Sequence, residues 1–183
     1  PVFLAYGLGT ALGCVALFFA LRLGLRALEV ASPWPLRAAG AGLALATVLM
    51  LSPPGVRFEP ATASYELGAG YFLAGAIHLA ACVAVAGLML AAARRVAGRG
   101  GDRYDAGFFA GMCAFAAIGS VESALGLASA WQSPVGRLDA QGEEFLYSSI
   151  PYLLLGLFLC VYLMRLLRMP AAAARGDVEG EGT

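Results

Sequence analysis

From Leu67 to Ala93 the chain carries no Asp, Glu, Lys or Arg. At ~1.5 Å of rise per residue, a helix over this run exceeds the ~30 Å hydrocarbon core of a bilayer. No soluble domain needs so long an uncharged helix, so the run constrains the chain more than any other feature. It is not alone. Apolar runs also occupy about Val2–Leu21, Leu36–Ser52, Asp105–Trp131 and Phe145–Met164. Overall 60% of residues are hydrophobic and 13% charged, against roughly 45–50% and about 25% in soluble domains. The fold class expected is an all-α integral membrane protein, a bundle of five transmembrane helices.

The breaks between runs fit that reading. Ser32-Pro33-Trp34-Pro35 is a turn, because each proline holds the residue before it extended. Trp34 suits a membrane interface. Pro53-Pro54-Gly55 stops the second run, which is the shortest and has a re-entrant hairpin as its alternative. Val56–Glu66 and Gln132–Glu144 are polar loops, and Gly98–Arg103 is a short Gly/Arg loop. Pro151 falls inside the fifth run and should kink it, with Ser148 or Ser149 able to satisfy the freed carbonyl. The five-helix unit covers 1–169. The stretch 170–183 is a polar cytoplasmic tail, Ala-rich and then Gly- and acid-rich, of a composition that does not fold alone.

Charge orients the bundle. Arg22, Arg26, Arg37, Arg94, Arg95, Arg99, Arg103, Arg165, Arg168 and Arg175 fall in one alternating set of segments, and only Arg57 and Arg137 in the other. This asymmetry predicts the N-terminus outside and the C-terminus in the cytoplasm of a bacterial-type inner membrane. A re-entrant second run would move the Arg94–Arg103 cluster outside, so five crossings are preferred. The start does not resemble a secretory leader, since no Lys or Arg precedes the first run, and Pro1 is expected to follow a removed initiator Met.

Several function classes find no support. Formal charge is zero, so nucleic-acid binding has no electrostatic basis. The four cysteines, Cys14, Cys82, Cys113 and Cys160, all lie within apolar runs, with no CxxC and no loop placement. They point to packing, not to zinc or disulfides. Metal hydrolysis needs more ligands than the single histidine and one nearby acid. Ser120 and Ser123 flank Glu122, but no nucleophile-elbow motif accompanies them. No catalytic site of the chain's own is expected.

Two residues stand out. Glu122 is the only carboxylate deep within an apolar run, and His78 is the only histidine. An intramembrane charge is costly and usually has a partner or a task. His78 lies eleven residues from Leu67, ~16 Å down its helix, and Glu122 nine residues from Trp131, ~13 Å from the same surface. The two could therefore meet near the midplane. Each shares a helical stripe with small residues: Ala74, Gly75, Ala81 and Cys82 beside His78, Gly119 and Gly126 beside Glu122. Three readings follow. The first is an interhelical lock, the second a proton or cation site, and the third separate contacts with a partner subunit, lipid headgroup or quinone. Gly9/Gly13 and Gly107/Gly111 form GxxxG pairs suited to helix packing.

The function expected is that of a small accessory subunit of a membrane complex or a homo-oligomer, bound to the bilayer and to other membrane chains or itself. The alternative is a transport or channel protein using His78 and Glu122. Third is a quinone- or haem-associated subunit of an electron-transfer complex. With one histidine, bis-histidine haem ligation needs a partner chain, and Met112 lies at another depth for His–Met ligation. No cofactor is assigned, while lipid or quinone fits the composition.

Overall fold

The computed structural model describes residues 2–59, 61–62, 64–99 and 103–137. The fifth apolar run Phe145–Met164, with Pro151 inside it, and the tail Pro170–Thr183 lie outside the described residues. So do Cys160 and the second half of the Gln132–Glu144 loop.

The chain is mostly helical. Helix α1 covers Val2–Ala27, α2 Trp34–Met50, α3 Ala69–Gly98 and α4 Arg103–Gln132. Among the described residues three helical stretches, Gly9–Ala27, Ala69–Gly98 and Asp105–Gln132, are long and apolar enough to cross a membrane. A membrane location is compatible with them. Helix α2 has 17 residues, ~25 Å, and Pro35 near its start costs nothing because an N-terminal turn has no intrahelical acceptor for that N–H.

Helix α2 is not a hairpin. Its Pro35 lines the same cleft as Leu88, its Gly42 lies against Ile77, and the carbonyl of Pro54 just beyond its end accepts from the amide of Gly70 at 2.9 Å. It therefore runs antiparallel to α3 for its whole length. Helix α1 meets α2 where Phe18 packs on Gly40, and meets α3 where Gly24 sits under Leu88. Helix α4 packs chiefly on α3.

The shared core contains Cys14 and Leu21 of α1, Leu43 of α2, Val85 and Met89 of α3, and Phe108 and Met112 of α4. Met89 and Val85 are its largest fully enclosed side chains. Among the described residues no polar or charged side chain is fully buried. Hydroxyls within the helices satisfy themselves: Thr47 Oγ1 donates to the Leu43 carbonyl at 2.9 Å, and Ser120 Oγ to the Ala116 carbonyl at 2.8 Å. Such back-bonding lets Ser and Thr sit in an apolar helix without an outside partner.

The all-α expectation needs a correction at one end. The two loops read as irregular form a three-stranded antiparallel sheet, β1 Val56–Glu59, β2 Ser64–Leu67 and β3 Val135–Arg137, in the order β1-β2-β3. Its register sets Arg57 opposite Glu66 and Phe58 opposite Tyr65, pairings of opposite charge and of aromatic rings that favour antiparallel strands. Tyr65 lies opposite Gly136, and its ring covers that glycine in the space where a side chain would stand. The signal was present: Val-Arg-Phe-Glu alternates apolar and polar residues with period two. Strands of three or four residues are too short for that alternation to stand out.

Candidate functional site

The α3–α4 seam fixes the heights of the two singled-out residues. Phe72 and Trp131 meet edge to face, centroids 5.4 Å apart. Gly75 lies directly beneath Leu127, and Gly119 faces the Cys82 sulfur, which also meets Ser123. Small residues at 75 and 119 let the helices approach closely. Continuing this antiparallel register places Glu122 opposite Leu79 and Ala80, within ~3 Å of His78 along the axis.

Height is shared, but Glu122 stands to one side of the seam. Glu122 follows Gly119 by three positions and precedes Ser123 by one, so it is turned about 60° from Gly119 and about 100° from Ser123, to one side of the seam. Both His78 and Glu122 are half-buried. Neither makes a hydrogen bond or ion pair among the described residues. Around Glu122 the outward face of α4 is apolar and open: Ile118 is 50% exposed, Val121 59% and Leu125 65%. Ser120 offers Glu122 no ready donor, because its proton is committed to Ala116. Chemically, Glu122 is a half-buried carboxyl group two-thirds of the way along α4, beside a face that the described residues leave uncovered.

Three of the four GxxxG glycines are also uncovered. A methyl group built on Gly9, Gly13 or Gly107 would touch nothing within 4 Å, so these notches seat no helix among the described residues. Gly111 is half-buried in α4. The helical glycines that do meet a side chain of a neighbouring helix are Gly24, Gly40, Gly42, Gly75 and Gly119, none of them in a GxxxG pair. Spacing shows where close approach is permitted, and only the opposing large residue shows where it is used.

The second polar constellation lies at the opposite end from the sheet. Helix α1 ends in a Schellman motif: Val30 N–H donates to the Leu25 carbonyl at 3.0 Å and Glu29 N–H to that of Arg26 at 2.9 Å. The left-handed position, normally glycine, is Glu29 with φ 56°. Its carboxylate accepts from Arg95 Nη2 at 2.5 Å and Arg99 Nη1 at 3.1 Å. Arg95 also donates from Nη1 to the Ala27 carbonyl at 3.4 Å, where the helix dipole is negative. The hydrogen bond from Arg99, and then that from Arg95, hold the Glu29 carboxyl below the ordinary carboxylate range. This clasp was not foreseen from the residues. Its signal was an acid placed among arginines, together with the four-residue spacing of Arg95 and Arg99, which puts both on one helix face.

No described protein family, characterised protein or solved structure matches this chain.

Proposed function

We propose that the chain is a small, non-catalytic, multi-pass subunit of a larger assembly in a bacterial-type cytoplasmic membrane. In this reading the stretch Phe145–Met164 is a fifth span, the sheet end is outside, and the basic end and tail are cytoplasmic. The observation that carries the reading is Glu122. It stands two-thirds of the way along α4, beside an apolar face, with no partner among the described residues. Facing lipid, a charge there costs ~3 kcal/mol or more. A neighbouring subunit that donates to it removes that cost. The empty notches at Gly9, Gly13 and Gly107 add places where another helix fits. Native purification, with identification of every co-eluting chain and an absorption spectrum, tests this reading. A stable, monodisperse monomer without companions would overturn it, and a haem spectrum would move the assignment to an electron-transfer subunit.

A second reading, proton or cation movement, is favoured by one observation, the common height of His78 and Glu122. It requires Glu122→Gln and His78→Ala each to abolish flux in proteoliposomes while leaving the helical spectrum unchanged. Flux that survives both substitutions rules it out.

A further inference from the structure

Three helices enclose a cleft of about 620 Å³ whose lining is almost wholly apolar. Leu21 and Leu25 of α1 form one wall, Pro35 and Gly42 of α2 another, and Ile77 and Leu88 of α3 the third. Ala38, Ala80 and Ala84 also line it and are exposed, so the cleft opens sideways, along the length of the helices. It is long rather than round. From Leu88 at the basic end to Ile77 the α3 wall rises ~16 Å. One leaflet of the hydrocarbon core is ~15 Å deep.

Charge lies along the basic-end half of this cleft, from where long arginine side chains can reach its end. Arg22 adjoins Leu21, Arg26 adjoins Leu25, and Arg37 follows Pro35 by two residues. All three are exposed. Arg95 and Arg99 are committed to Glu29. Arg22, Arg26 and Arg37 have no ion pair among the described residues. A slot one leaflet deep, walled by small apolar residues and headed by three unneutralised guanidiniums, has the complementarity of a single lipid: a chain in the slot and a phosphate at its mouth.

We infer that the cleft between α1, α2 and α3 binds one anionic phospholipid, an acyl chain lying along Ala38, Ala80 and Ala84 and the headgroup held by Arg22, Arg26 and Arg37. The inference rests on the membrane location, not on the subunit reading. A chain with no companion could still bind the lipid, and a chain within a complex could fail to.

The test uses the full chain in mild detergent, offered equal amounts of phosphatidylglycerol and phosphatidylcholine with identical acyl chains, and read by native mass spectrometry. The expected result is one phosphatidylglycerol per chain, retained about tenfold or more over phosphatidylcholine. Ala84→Phe and, independently, Ala38→Phe fill the slot from its exposed side and should each cut retention about tenfold. Arg22→Gln/Arg26→Gln/Arg37→Gln should leave the two lipids equal. Circular dichroism checks helicity, and if one Phe variant does not fold the other decides. Equal retention of the two lipids by the wild type overturns the proposal, as does undiminished retention in a folded Phe variant. A wild-type dimer that Ala84→Phe dissociates would assign the cleft to a second copy and overturn it equally.

Discussion

At the sheet end, α2, α3 and α4 are tied together by main chain. Gly68 N–H donates to the Gly55 carbonyl at 2.8 Å, Gly70 N–H to that of Pro54 at 2.9 Å, and Leu67 N–H to that of Pro134 at 2.8 Å. At the basic end, α1 and α3 are tied by exposed side chains, Glu29 with Arg95 and Arg99. The first closure depends on residues too small to obstruct it and on donors that titrate nowhere near neutrality. The second depends on charge in water, where ion pairs are weak and screened by salt. One bundle thus has an end whose integrity is steric and an end whose integrity is ionic. Substitutions at the two ends should differ in size and in their response to salt and pH.

The largest effect is expected at Gly55. A side chain there would stand against the Leu49 carbonyl and the backbone of Met50, neither of which can swing away as a side-chain tip can. Gly55→Ala should cost ~2–4 kcal/mol, measured as a loss of thermal stability in detergent that is the same at low and high salt. A loss that salt restores would mean the sheet end is not closed by backbone packing. Next is Gly75 in the seam, where a side chain would meet Leu127, a flexible group able to give way. Gly75→Leu should cost ~1–3 kcal/mol, again without salt dependence. It should also disturb the Phe72–Trp131 contact, visible in Trp fluorescence. Unchanged emission together with unchanged stability would place the α3–α4 contact elsewhere.

The same contrast explains what could be foreseen from the residues. Helix existence was legible because composition and length decide it: an uncharged run such as Leu67–Ala93 has few alternatives. The common height of His78 and Glu122 was legible because rise per residue is fixed. The facing of Glu122 was not, since it depends on which of several small-residue stripes of α4 the seam uses. Gly75 and Gly119 were chosen over equally small neighbours by the position of Leu127 and Cys82 on the opposite helix. The sheet was obscured by its brevity. The Glu29 clasp was obscured because it joins residues 66 and 70 positions apart, and because a left-handed glutamate is not expected where glycine is preferred.

That glutamate offers the next smaller prediction. Glu29→Gln removes the charge but keeps a side chain in the left-handed region. Glu29→Gly removes the charge and relieves the backbone. At low salt Glu29→Gln should melt slightly below the wild type, with Glu29→Gly at or above Glu29→Gln. At 1 M salt, where the screening length is ~3 Å, the wild type should lose its advantage over Glu29→Gln. Glu29→Gly should keep its lead, since backbone preference is not screened. If salt leaves the wild-type advantage intact, the basic end is held by something other than charge.

The smallest effect is the pH dependence of the same clasp. The Glu29 carboxyl titrates below its ordinary value of 4.5, chiefly because Arg99 and then Arg95 donate to it. A depressed carboxyl stabilises the fold while it is ionised. Its contribution is complete above the ordinary carboxylate range and disappears as pH falls through the lowered value. The melting-temperature difference between wild type and Glu29→Gln, followed downward from pH 7, should stay level until the pH nears 4.5 and then shrink toward zero. Comparison with the glutamine variant cancels the titration of every other carboxylate, which both proteins share. Gly55→Ala, compared with the wild type in the same way, should show a difference that does not move with pH, because nothing at that end changes charge between the two proteins. A Glu29 difference that persists to pH 3 would make the contact a neutral hydrogen bond, and the distinction between a steric and an ionic end would fail at the ionic one.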